Sequence, residues 1–134
     1  IKQLCGDQII LKVILESGLY ENKEYLQHAA YCAMEGGADF LKTSTGKIQP
    51  AARPEDVWIM AEMAKAYFKA AGRKVGIKAA GGIVTPESAL LYMQIVLTIL
   101  GEEWISSSLF RIGASRLANA VLSLLDPKSG NSYF

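Results

Sequence analysis

Four short apolar runs, each interrupted by one basic residue, recur along this chain: "IILKVIL" around Lys12, "ADFLKTS" around Lys42, "VGIKAAGG" around Lys78 and "LFRIGAS" around Arg111. The basic residues follow one another at intervals of 30, 36 and 33 positions. A near-constant period of that length marks an internal structural repeat. Between the runs lie helical patterns over residues 23–35, 54–71, 86–100 and 115–125. Their ends carry the expected signals. Pro54 with Glu55 and Asp56, and Thr85-Pro86-Glu87, put proline in the first turn and acids against the helix dipole. Gly36-Gly37, Gly72 and Gly101 follow the helix ends. Strand and helix alternating at this spacing predict parallel βα units.

Near-continuous apolar strands imply a sheet covered on its faces. An open doubly wound sheet and a closed barrel both satisfy that condition. The embedded basic residues favour the barrel, because inward side chains of neighbouring strands converge near its mouth. A whole barrel takes roughly 200–250 residues, so four units in 134 residues amount to about half of one. The fold expected is α/β, a (β/α)8 TIM barrel of which residues 1–134 supply about the last four units as one domain. Strands are expected near 9–15, 38–43, 75–79 and 109–113, and "DPKSGNSYF" reads as a polar tail.

Composition narrows the function classes. Half of the chain is apolar (51%) and a fifth charged (20%), which fits a packed domain rather than a disordered one. With 14 basic and 13 acidic residues the net charge is +1, so no general attraction to nucleic acid is expected. The apolar runs fall far short of a bilayer span, and nothing at the start reads as a signal peptide, so no membrane association is expected and the location expected is cytoplasmic. Cys5 and Cys32 form no CxxC and read as reduced thiols; His28 sits alone in a helical pattern. No metal and no cofactor is expected.

Lys42 and Lys78 occupy matching places near the carboxyl ends of their strands, where barrel active sites sit. Two ammonium groups about 7 Å apart at an effective dielectric of about 20 repel by about 2 kcal/mol. That lowers one lysine's pKa by nearly two units, and desolvation lowers it further. A lysine partly neutral at pH 7 attacks carbonyls to form a Schiff base. Pairing with a carboxylate is the competing explanation. The acid at hand in these strands is Asp39, three positions before Lys42, and an odd offset in a strand points to the other face. All four basic residues are expected in register. The loops "AAGGIVTPES" and "GASR" add a second signal. Gly81-Gly82 and Gly113-Ala114-Ser115 let backbone approach an oxyanion, and the helix near Thr85 offers free N–H groups. Lys47, just after Gly46, adds a charge.

The segments "LKVILESG", "GADFLKTSTGK", "VGIKAAGGI" and "FRIGAS" resemble, in order and spacing, those of deoxyribose-phosphate aldolases. The resemblance covers essentially the whole chain. It implies a class I aldolase, without metal or cofactor, that reversibly cleaves 2-deoxy-D-ribose 5-phosphate to D-glyceraldehyde 3-phosphate and acetaldehyde in deoxyribonucleotide catabolism. By position, Lys42 would be the Schiff-base lysine and Lys78 the second lysine that perturbs it and assists proton transfer. Lys12 would line the same pocket. Substrate contacts would fall on Thr45, Gly46, Lys47, Gly81, Gly82, Gly113 and Ser115, with Tyr133 reaching the site from the tail. The complete enzyme would be a homodimer. The chain departs from the pattern in three ways. Val84 stands where an Arg is frequent, and Arg116, in place of a Ser, is expected to supply that charge instead. The relay Asp of an earlier strand has no equivalent, and Phe134 follows Tyr133. Two other readings stay open: a related Schiff-base aldolase on another phosphorylated substrate, and a non-catalytic half-barrel that binds phosphate or a partner. Starting at Ile1 rather than Met, the chain is expected to need an amino-terminal half-barrel or a second copy to close.

Overall fold

The computed structural model describes residues 1–125. Tyr133 therefore lies outside the described residues. Four strands, β1 (Lys12–Ile14), β2 (Phe40–Lys42), β3 (Gly76–Ala80) and β4 (Phe110–Gly113), form one parallel sheet in the order β1-β2-β3-β4. Strands adjacent in the chain are adjacent in the sheet, so there is no reversal of order of the kind a doubly wound sheet has. Right-handed crossovers between such strands put every connecting helix on one face. Those helices, α2 (Lys23–Glu35), α3 (Pro54–Ala71) and α4 (Pro86–Leu100), pack side by side with α3 in the middle, and α5 (Leu117–Leu125) lies against α4. This is four βα units of a TIM-barrel wall. The expected helices over 23–35, 54–71 and 86–100 are found at those limits, while the last begins at Leu117 rather than Ser115. A one-turn helix, α1 (Lys2–Cys5), and 3-10 turns at Ser17–Leu19 and Glu102–Trp104 complete the elements.

Alternation along the strands separates two environments. Leu41, Ile77 and Ala79 point outward and are fully buried against Leu26, Ala30 and Met34 of α2, Val57, Met60 and Ala64 of α3, and Val96 of α4. The inner face carries Lys12, Phe40, Lys42, Gly76, Lys78 and Arg111. Here the register corrects one expectation. Lys42 pairs with Lys78, and Lys78 with Arg111, but Lys12 pairs with Phe40, two residues below that level. The β1 register is locked by main-chain bonds at both ends: the Asp39 and Phe40 amides donate to Leu11 O, and the Leu15 amide donates to Lys42 O. Three of the four basic residues are thus level, and Lys12 reaches up from the layer beneath.

Helix ends are fixed by local chemistry. Asn22 accepts from the Glu24 amide at the start of α2. Thr85 and Ser88 form a reciprocal capping box at the start of α4. Gly72, at φ 68°, ends α3 in the left-handed conformation. The start of α3 does more. Asp56 is fully buried and accepts from Arg53 Nε at 2.8 Å, Arg53 Nη2 at 3.0 Å and Lys23 Nζ at 2.6 Å. Arg53 Nη2 also donates to Ser17 O at 3.2 Å. One carboxylate therefore joins the first turns of α2 and α3 to the loop after β1.

Asp56→Ala should lower stability by about 3 kcal/mol, since it strips a buried carboxylate from two cations. Lys23→Ala should cost below about 1 kcal/mol, because that side chain is 35% exposed and can return to water. Urea unfolding of the two variants checks both; equal losses would mean that the Lys23 contact carries as much as the buried carboxylate itself.

Candidate active site

Lys42, Lys78 and Arg111 stand side by side at one level of the inner sheet face, on three adjacent strands. Neighbouring strands are about 4.8 Å apart, so the three cations are held close by the backbone itself. Among the described residues none of them has a carboxylate within ion-pair distance. Asp39, the acid nearest in sequence, is on the other face, where it pairs with Lys2 at 2.7 Å and accepts from the Leu11 amide. Burial, reinforced by the charges of Lys42 and Arg111, holds the Lys78 pKa below the usual lysine value. Lys12 is lowered by burial and then by Lys78, Arg111 and Lys42. Uncompensated like charge, rather than ion pairing, is the electrostatic character of this face.

Below the cations lies an aromatic layer. The Phe40 ring is 1% exposed, with Lys12 Nζ 5.4 Å and Arg111 Cζ 4.6 Å from its centroid. A cation over an aromatic face is stabilised by the ring quadrupole, on the order of 1 kcal/mol. Gly76 makes room for the ring, since a Cβ there would lie 2.5 Å from it. Gly113 does the same for the lysine, because its Cβ would sit 2.8 Å from Lys78 Cε.

At the carboxyl end the loops enclose a pocket of about 410 Å³. Its wall includes Lys42, Thr45, Gly46, Gly81, Gly82, Val84, Gly113 and Ser115. Lys42 is the point where the cation row meets the pocket; Lys78 and Lys12 stand behind it and outside the lining. Gly46 and Gly82 have φ of 82° and 77°, with no heavy atom within 4 Å of where a Cβ would be, so both turns present bare backbone. The β2 and β3 ends are tied together through Thr43, whose hydroxyl donates to Ala80 O at 2.8 Å and accepts from the Ala80 amide at 2.9 Å.

Several expected contributors sit elsewhere. Lys47 is exposed and outside the lining, its amide donating to Thr45 Oγ1 at 3.2 Å. Arg116 is exposed and outside it as well, so Val84, 48% exposed on the wall, is not replaced there by a charged neighbour. The capping box occupies the Thr85 and Ser88 amides, which reduces the free donors expected at the start of α4. One residue was missed. Glu16, just past β1, accepts from Thr45 N and Thr45 Oγ1 with its carboxylate. Its place next to the strand end in "ESG" is the one signal that could have singled it out. Among the described residues, no three His, Cys, Asp or Glu side chains group to hold a metal, and no helix is long and apolar enough to cross a membrane.

No protein-family model matches the chain. It is 40% identical, over 93% of its length, to a deoxyribose-phosphate aldolase of Agrobacterium fabrum, and covers 47% of that protein. A crystal structure of a proposed deoxyribose-phosphate aldolase from Toxoplasma gondii superposes with a TM-score of 0.74 at 30% identity, covering 87% of this chain and 44% of that one. Another, from Coccidioides immitis, gives a TM-score of 0.63 at 30% identity over 84% and 39%. The chain is thus related to deoxyribose-phosphate aldolases along nearly its whole length. It spans about half the length of the curated relative it matches.

The cation row has a measurable signature. Arg111→Met removes a positive charge beside Lys78, so the Lys78 pKa should rise, though not to 10.5, because burial, the larger cause of the lowering, remains. Between the lowered pKa and 10.5 the unfolded chain binds the extra proton, so stability should rise with pH across that interval, and less steeply in the variant. NMR titration of the Lys78 side chain checks the shift; an unchanged pKa would mean the two groups do not couple.

Proposed function

We propose that this chain carries the Schiff-base half of an aldolase that reversibly cleaves 2-deoxy-D-ribose 5-phosphate to D-glyceraldehyde 3-phosphate and acetaldehyde. The observation that carries this reading is the unpaired cation row of Lys42, Lys78 and Arg111, opening at Lys42 into a pocket walled by bare glycine turns. Lys42 is the nucleophile. Its amine adds to the C1 aldehyde of the open-chain sugar, and loss of water leaves an iminium. Removal of the C3 hydroxyl proton lets the C2–C3 bonding pair move into the iminium, which releases glyceraldehyde 3-phosphate and leaves an enamine. Protonation at C2 and hydrolysis then free acetaldehyde and Lys42. Lys78, with its lowered pKa, is the proton carrier from within this chain. Arg111 and Lys12 keep the row positive.

The phosphate is assigned to the Gly46, Gly81-Gly82 and Gly113–Ser115 turns, where backbone N–H groups and the Ser115 hydroxyl serve as donors; the Thr45 hydroxyl is spent on Glu16. Lys47 is assigned to the outer edge of that site. The strands β1 and β4, edges of the sheet among the described residues, are assigned to closure by an amino-terminal half-barrel or a second copy. An amino-terminal half-barrel would bring the relay carboxylate, whereas a second copy would not. Val84 on the wall favours a second reading, a related Schiff-base aldolase acting on another phosphorylated aldehyde or ketone.

Acetaldehyde with borohydride should add an ethyl group to Lys42, located by peptide mass spectrometry. Label on Lys78 or Lys12 with Lys42 untouched would falsify the assignment, and no label at all would favour a phosphate-binding module. Lys42→Arg should abolish labelling, since a guanidinium stays protonated. Alone, the chain should label but turn over poorly; turnover near that of ordinary aldolases would show that another of its groups replaces the relay carboxylate.

A further inference from the structure

We infer that Glu16 is a positioning residue for the anion side of the mouth: it holds the Thr45–Lys47 turn in the shape that receives phosphate. The inference rests on the phosphate reading of this pocket. Glu16 has φ 53° and ψ 53°, and among the described residues it is the one non-glycine at positive φ. An ordinary side chain is strained in that conformation. The surroundings enforce it. The Leu15 and Ser17 amides donate to Lys42 O and Thr43 O, both at 2.9 Å, and pin the chain on either side. Gly18 then passes so close to the loop after β2 that a Cβ would lie 1.7 Å from Pro50 O.

What this geometry achieves is visible in the side chain. Oε1 accepts from the Thr45 amide at 3.0 Å, and Oε2 accepts from the Thr45 hydroxyl at 2.6 Å, a charge-assisted bond. Having given its hydrogen to the carboxylate, Thr45 Oγ1 turns a lone pair to the Lys47 amide at 3.2 Å. Glu16, Thr45 and Lys47 thus form a chain of bonds that spans Gly46, whose φ of 82° belongs to the bare turn on the pocket wall.

The electrostatics make the idea decidable, because a carboxylate close to an anion site works against binding. If Glu16 were only a nearby negative charge, removing it would tighten phosphate. If it positions the turn, removing it loosens phosphate despite the gain in positive charge. The experiment titrates inorganic phosphate into the full chain and follows the Gly46 and Gly82 amides by NMR. Glu16→Leu should weaken phosphate about tenfold, the equivalent of one or two net hydrogen bonds. Glu16→Gln, which keeps a carbonyl acceptor, should stay within about threefold of the unaltered chain. Thr45→Val cuts the same link while leaving the charge and the strained residue in place. It should weaken phosphate comparably, and the double variant should be no worse than either single one. Acetaldehyde labelling of Lys42 should be unchanged in Glu16→Leu and Glu16→Gln. Unchanged or tighter phosphate in Glu16→Leu and Thr45→Val overturns the inference alone. An unaltered chain that takes up no phosphate overturns it together with the phosphate reading, while loss of Lys42 labelling in the unaltered chain counts against the Schiff base only.

Discussion

Main-chain hydrogen bonding between β2, β3 and β4 is the constraint on which the rest of this molecule depends. Parallel pairing sets Lys42, Lys78 and Arg111 at a common height, and no side-chain rearrangement can move them to different levels. The backbone therefore imposes a repulsion that side chains alone would relax. It is tolerated because the outward face of the same strands is buried against three helices, so slipping the register by one residue would turn Leu41 and Ile77 to the mouth and three cations into the core. The apolar core pays for the charged row, and each specifies the other.

The remaining features adapt the wall to that row. Phe40 presents its ring to Lys12 and Arg111, giving charge an aromatic surface where a carboxylate would neutralise it. Gly76 and Gly113 are spaces cut for a ring and for a lysine stem. The loops at the carboxyl end show a division of labour. The Thr43 hydroxyl makes two hydrogen bonds and the Asp56 carboxylate three, whereas Gly46 and Gly82 leave their backbone uncovered.

Much of this was legible in the sequence, and the reasons differ by element. The helices over 23–35, 54–71 and 86–100 could be placed to the residue because proline, capping side chains and terminal glycines act within one turn. The lysine row was legible for a related reason: a basic residue inside an apolar strand has few physical excuses. The height of Lys12 was not, because it depends on which carbonyl Leu11 offers to which amides across the sheet. Nor was the role of Glu16, which bonds to a residue 29 positions away. Arg116 looked like a replacement for a missing cation, yet lies outside the pocket wall. Proximity in sequence to a glycine turn says nothing about the direction of a long side chain.

The Phe40 ring has a consequence for traffic. Nearly sealed from solvent and wedged over Gly76 beneath the cation row, it is a floor to this side of the barrel. It blocks the way beneath Lys42, so along this wall that amine is approached from the mouth, past the glycine turns.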